Sequence, residues 1–166
     1  MPTNLYGPGD NYNLETSHVI PALVRKFHNA KIKKETQVIC WGTGKPKREF
    51  LHVNDLSDAS VFVLENWDPN SKNSPKLPNE RKLNFLNVGS GIDHTIKYLA
   101  TVIADLMQYK GEIIWDKSKP DGTPQKLLDV SNLSNLGWQS KIDLKKGIKM
   151  TISNYKDEIN RLNLRE

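Results

Sequence analysis

The sequence predicts an α/β fold, and three observations carry that prediction. Short β-branched or apolar runs, such as residues 36–41 (TQVICW), alternate with stretches of helical periodicity. Turn formers separate them, as at 42–46 (GTGKP) and 89–91 (GSG). No internal repeat interrupts the alternation.

In chain order, residues 2–13 are rich in Pro, Gly, Asn and Asp and read as the exit from a strand. Ser17 is an expected N-cap and Pro21 falls in the first helical turns. Ile20, Leu23, Val24 and Phe27 then keep the i, i+3, i+4, i+7 spacing of a helix with one apolar face. Residues 36–41 form a strand, and 49–53 (EFLHV) a second. Asn54 or Asp55 is expected to cap a helix carrying Leu56, Ala59, Val63 and Leu64. Residues 68–82 have no periodicity and read as a flexible surface loop. Residues 83–88 (LNFLNV) are expected to be a strand. Thr95 caps a helix with Ile96, Leu99, Ala100, Ile103 and Leu106 on one face. A strand at 111–115, a polar loop at 116–127 and a helical turn near 131–136 follow. A last helix from about Asp143 bears Leu144, Ile148, Ile152, Tyr155 and Ile159.

The 166 residues carry 24 Lys and Arg against 19 Asp and Glu, a net +5. With 37% hydrophobic and 26% charged residues, the chain is neither a disordered tail, a collagen-like fibre nor a disulfide scaffold. It is long enough to bury roughly two-thirds of its unfolded surface in one core. No apolar run approaches the ~20 residues that span a bilayer, so no membrane association is expected. Residues 1–4 lack the basic start and apolar stretch of a signal peptide. Cys40 is the single cysteine and has no internal partner, so the default expectation is a reducing cytoplasm.

Charge distribution says more than net charge. Residues 25–34 hold five basic residues and no acid, and Lys45, Lys47 and Arg48 follow in one loop. Lys117, Lys119 and Lys126 cluster in another. Basic loops suit phosphate groups. Trp41 offers a face for a base, and Arg48 a fork for a phosphate. Equally, Trp41 is a core tryptophan and Arg48 and Lys126 are solvated cations on pattern alone. His18 opens a helix where it can exchange protons, or is structural. No G-x-G-x-x-G, Walker A, H-E-x-x-H or cysteine cluster occurs, and no metal site is expected. A nucleic-acid binder would need exposed aromatics among the cations, and is not the favoured reading.

Longer strings go further. The run Pro2-Thr3-Asn4-Leu5-Tyr6-Gly7-Pro8 resembles the segment after the last core strand of extended short-chain dehydrogenase/reductases acting on nucleotide sugars. Residues 48–55 (REFLHVND) are similar to that superfamily's R-[ED]-[FY]-[LIV]-H-V-x-D string, and 87–91 to its N-[VI]-G-[ST]-G turn. Residues 17–23 (SHVIPAL), 41–52 (WGTGKPKREFLH) and 118–129 (SKPDGTPQKLLD) resemble the GDP-L-fucose synthase family. The resemblance spans nearly the whole chain and is weakest over 66–82 and the last dozen residues.

What it implies is an epimerase-reductase. Acid and base exchange protons at C3 and C5 of GDP-4-keto-6-deoxy-D-mannose, and NADPH reduces C4 to give GDP-L-fucose. His18 matches the family's acid and lies near NADP. Pro2, Thr3, Asn4 and Leu5 match the stretch at the nicotinamide end. Lys26, Trp41, Arg48, Asp121 and Lys126 match substrate-contacting positions. Cys40 does not match the family's catalytic cysteine and reads as a small buried hydrophobe. Gln125 stands where relatives often carry a base. The Gly-rich cofactor turn, the Tyr-x-x-x-Lys pair and the catalytic Cys have no counterpart here. Residues 1–166 therefore resemble the C-terminal, substrate-binding half, with 1–16 ending the Rossmann part and the N-terminal cofactor-binding half absent. The resemblance implies an NADP-dependent enzyme inactive without that half, acting as a homodimer or with the complementing half. The alternative is a GDP-sugar binding module without catalysis.

Overall fold

A computed structural model of the chain describes residues 1–72, 74–77, 79 and 81–163. Its elements are β1 (Asn4–Tyr6), α1 (Val19–Lys33), β2 (Gln37–Trp41), β3 (Lys47–His52), α2 (Val53–Asn66), β4 (Asp93–Thr95), α3 (Ile96–Met107), β5 (Glu112–Asp116), β6 (Gln125–Lys126), α4 (Ser131–Asn135) and α5 (Leu144–Asn163). The α/β class expected from the alternation is the class observed.

β3 is the organising strand. It pairs in parallel with β1, antiparallel with β4, and in parallel with β6. β2 and β5 form a separate parallel pair. Because strand side chains alternate between faces, β3 divides two cores. Phe50 packs with Tyr6, Val24, Phe27, Leu99, Ile103, Ile148 and Ile152 between α1, α3 and α5. Leu51 packs on the other side with Ala59, Leu86, Val88, Leu133 and Trp138. Each large buried apolar side chain contributes about 1.5–3 kcal/mol, so both cores hold β3 in place.

Several boundaries differ from the sequence expectation. α1 is capped by His18, not Ser17, and the imidazole makes no capping hydrogen bond. α2 is capped by His52, whose Nδ1 accepts from the Asn54 amide at 3.2 Å. Neither Asn54 nor Asp55 takes that position, because both already lie inside the helix. Residues 83–88 are not a strand. Apolar character there serves burial: Leu83, Leu86 and Val88 fill the second core. Val88 bridges to the start of the chain, accepting from Thr3 N at 3.0 Å and donating to Met1 O at 2.9 Å, and Leu86 O accepts from the Met1 ammonium. β4 and β6 are too short for periodicity to reveal, and β3 begins at Lys47 rather than Glu49.

In the 68–82 segment, Trp67 Nε1 donates to Ser74 at 2.9 Å and Leu77 N to Arg81 O at 2.9 Å. Residues 73, 78 and 80 of that segment, and 164–166, lie outside the described residues. No helix among the described residues is long and apolar enough to cross a membrane.

Candidate active site

A cleft of about 660 Å³ opens where β1, the start of α1 and β3 meet. Its walls include Thr3, Asn4, Leu5, Asp10, His18 and Arg48. Residues separated by more than 40 positions thus converge because β1 and β3 pair with Asn4 opposite Phe50.

The β1 wall is rigid. Asn4 Nδ2 donates to Glu49 O at 2.7 Å, and Thr3 Oγ1 to the same oxygen at 3.4 Å. Their side chains lock β1 onto β3, so what they offer a ligand is chiefly backbone and shape. His18 is placed by a loop folded on itself. Asn13 Oδ1 accepts from Glu15 N and Thr16 N, and Asn13 O accepts from Ser17 N at 2.9 Å. With its backbone closing the first helical turn (Ala22 N to His18 O, 3.0 Å), the exposed imidazole is left for other chemistry. Beside it, Asp10 Oδ2 and Ser17 Oγ are buried without a hydrogen-bond partner.

The 48–55 string now has a physical account, residue by residue. Arg48 is half-buried at the cleft. Glu49 is fully buried, and its carboxylate accepts from Gly91 N at 2.7 Å and Leu128 N at 3.0 Å. It ties the 89–91 turn and the strand after 124 to β3. A side chain at Gly89 would overlap the Glu49 carboxylate, which explains the glycine of that turn. His52 is buried against Tyr6, ring centroids 5.4 Å apart. Burial pushes its imidazole below the usual value, with Asp55 pulling the other way. Asp55 Oδ2 accepts from Lys141 N at 3.1 Å and Ile142 N at 3.0 Å, anchoring the approach to α5. Sequence reasoning singled out Arg48 alone here. The string itself was the available signal for Glu49, whose role needs partners more than 40 residues away.

A second cluster lies at the end of β2. Trp41 is 65% exposed, so it is no core tryptophan. Its ring carries the Lys26 ammonium at 5.4 Å and the Lys119 ammonium at 5.6 Å. Such contacts hold two cations together at one aromatic surface. Lys26 also donates to Ile39 O at 3.0 Å. Cys40 is buried, which raises its thiol pKa, with Lys26 acting in the opposite sense.

Asp121 accepts from Thr43 N at 2.8 Å and from Thr43 Oγ1 at 2.5 Å. These bonds, led by the hydroxyl, hold its carboxyl below the usual range. The Gly42 backbone sits at φ +77°, and a Cβ there would meet the Asp121 carboxylate. Asp121 thus pins the 116–122 loop onto the β2–β3 turn, and Gly122 comes to lie against the Arg48 guanidinium. Lys126, exposed, stands opposite Arg48 in the β3–β6 pairing. Gln125 donates to Asp93.

Of the expected site residues, the structure brings Thr3, Asn4, Leu5, His18 and Arg48 into one cleft. Lys26 and Trp41 form the second cluster, Lys126 stands opposite Arg48, and Asp121 lies on the Thr43 turn with its neighbour Gly122 against Arg48. Pro2 is not on the cleft wall; it bridges to Val88.

Comparison with known proteins gives a consistent picture. The NAD dependent epimerase/dehydratase family matches residues 1–75. A probable GDP-L-fucose synthase of Oryza sativa subsp. japonica is 45% identical over 159 residues, which is 96% of this chain and 44% of the relative. The GDP-L-fucose synthase of Escherichia coli K12 is 48% identical over 155 residues, 91% of this chain and 46% of the relative. Among solved structures, a GDP-mannoheptose C4 reductase from Campylobacter jejuni with NADP bound superposes with TM-score 0.78 at 33% identity. That match covers 93% of this chain and 51% of the other. The chain therefore spans about half the length of the relatives it matches.

Proposed function

We propose that the chain, whose residues 1–75 match the NAD dependent epimerase/dehydratase family and which is 45–48% identical to parts of two GDP-L-fucose synthases, forms the sugar-nucleotide-binding part of a GDP-4-keto-6-deoxy-D-mannose 3,5-epimerase-4-reductase. The observation that carries this reading is the cleft joining Thr3, Asn4 and Leu5 to His18 and Arg48. It sets a proton-transfer group beside a fork that holds phosphate.

The residues have distinct tasks. His18, exposed at the cleft and making no capping hydrogen bond, passes a proton to the sugar carbon that has lost one. A C4 ketone makes the protons at C3 and C5 acidic, so a single well-placed acid serves both positions. Arg48 and Lys126 hold the diphosphate from neighbouring strands. Lys26 and Trp41 extend the grip to the nucleoside end, with Lys119 of the basic 117–126 loop as a second cation on the ring. Asp121 acts through the loop it pins, since Thr43 already uses both its oxygens.

These residues fit one end of a nicotinamide dinucleotide. The backbone of Thr3, Asn4 and Leu5 and the nearby His18 make a wall for the nicotinamide ribose end. A pyrophosphate calls for a glycine-rich turn opening a helix. Here the turn at 42–46 leads into β3 and the turn at 89–91 into β4. NADPH, when bound, supplies the hydride that reduces C4. Because the chain itself offers only part of that site, we propose that catalysis needs a complementing polypeptide, and that alone the chain binds GDP-sugar. The assembled enzyme is proposed to be a cytoplasmic homodimer or a complex with that complement.

Calorimetric titration of GDP at fixed salt tests the binding site. A charge-assisted bond contributes about 1.5–3 kcal/mol, so Arg48→Ala is expected to weaken binding about tenfold or more. Arg48→Lys should recover only part, lacking the bidentate contact. Wild-type affinity in Arg48→Ala would remove Arg48 from the site.

A further inference from the structure

Strand pairing gathers a set of cations that sequence spacing hides. β3 stands between β4 and β6, and the pairing sets Arg48 opposite His94 on one side and opposite Lys126 on the other. Directly paired residues project to the same face of a sheet. Lys126, Arg48 and His94 therefore form one row across three strands. Phe50, two residues beyond Arg48, projects to that face too, and both line the cleft. The row borders the cleft.

His94 is held in place there. Its ring stacks on Tyr98 of α3, centroids 5.1 Å apart and planes within 19°. The neighbouring carboxylates fall on the opposite face by alternation. Asp93 there accepts from Gln125, and Glu49 accepts from Gly91 and Leu128. That face carries two cations and one imidazole, and Arg48 at its centre lines the cleft.

We propose that His94 is a third phosphate-holding group at the rim of this cleft, acting with Arg48 and Lys126 on a diphosphate. The reading above supplies only the identity of the ligand; the row itself suits any diphosphate. An imidazole here, rather than a third permanent cation, has a consequence. On its own face stand Arg48 from β3, Lys126 beyond it on β6 and Tyr98 from α3, while Asp93, next to it in the strand, acts from the opposite face. Burial favours the neutral ring, against a smaller pull from Asp93. The empty row thus avoids a third positive charge. A diphosphate laid along it favours the imidazolium, so binding takes up a proton.

The test is an NMR titration of the four histidine rings, on the chain alone and with saturating inorganic pyrophosphate or GDP-mannose, at fixed ionic strength. His94→Gln assigns the resonance. The His94 midpoint is expected to rise by about one pH unit or more on ligand addition, equivalent to tenfold tighter binding by the protonated ring. His28 and His52 should stay where they are. GDP-mannose affinity should rise about tenfold between pH 7.5 and 5.5 and be flat in His94→Gln. In His94→Lys it should be tight and flat. A His94 midpoint unmoved by both ligands overturns the proposal. A shift with pyrophosphate but none with GDP-mannose upholds it and removes the GDP-sugar reading instead.

Discussion

At the residue scale, one buried polar group, Glu49, carries more of the fold than its size suggests. Glu49 has no solvent exposure, and each carboxylate oxygen accepts a backbone N–H from a different segment. Removing it empties a fully buried site and leaves two part-buried backbone donors without their acceptor, at about 1 kcal/mol or more each. Glu49→Ala is therefore expected to destabilise the chain by at least about 2 kcal/mol, read as a lower urea midpoint. A midpoint within error of wild type would mean water replaces the carboxylate. The histidines set the response to acid. Burial pushes His52, His28 and His94 below their ordinary value of 6.5, aided at His28 by Lys156 and Lys31 and opposed elsewhere by Asp55 and Asp93. In the unfolded chain these rings take up protons near pH 6.5 while the folded ones stay neutral. The unfolded state then binds more protons, so stability falls as pH drops below that value and is flat above it. Urea midpoints at pH 8, 7, 6 and 5.5 should show this bend, and His52→Gln should soften it. Stability rising between pH 7 and 5.5 would contradict the assigned directions.

At the element scale, what the sequence made legible follows from periodicity. α1, α3 and α5 each show an apolar stripe long enough to read, and Phe27, Ile103 and Ile148 are fully buried as that stripe requires. The REFLHV string located β3. Short elements were illegible, because β4 and β6 have three and two residues. Residues 83–88 misled because burial against α2 and α4 rewards the same apolar types as a strand does. His18 and Arg48 could be named from the strings, but their meeting in one cleft depends on β1–β3 register, which no local pattern encodes. His94 was missed for the same reason. Asp55 shows such coupling between elements. From the first turn of α2 it accepts two amides at 141–142, just before α5. Asp55→Ala should loosen α5 specifically. Hydrogen exchange should speed up in 144–155 and stay near wild type in α3. Uniform acceleration would mean that α5 and α3 open together.

At the scale of the whole molecule, one edge of β1 has no strand partner among the described residues, since β1 ends the order β1-β3-β4. Near it in the chain are exposed apolar side chains: Met1 at 64% and Leu14 at 43%. Leu64, at 85%, and Val61 stand three apart on α2 and share a face. An open edge beside exposed apolar surface invites pairing with another chain. On the function proposed above, it is also where a polypeptide bearing a glycine-rich turn would extend the sheet from β1. Two outcomes follow for the purified chain. Sedimentation at micromolar concentration should show self-association, diminished by Leu64→Asp together with Val61→Asp. With GDP-4-keto-6-deoxy-D-mannose, it should leave NADPH absorbance unchanged, because neither the 42–46 turn nor the 89–91 turn opens a helix that could hold a pyrophosphate. Adding a polypeptide that carries such a turn and a Tyr-x-x-x-Lys pair should start NADPH oxidation and convert the self-associated chain into a mixed complex. In that complex, His18→Ala should slow solvent-deuterium exchange at C3 and C5 by about 10²–10⁴-fold while GDP still binds. NADPH oxidation by the chain alone would show that the cofactor is held by residues other than a glycine-rich turn, and would end the case for a complement.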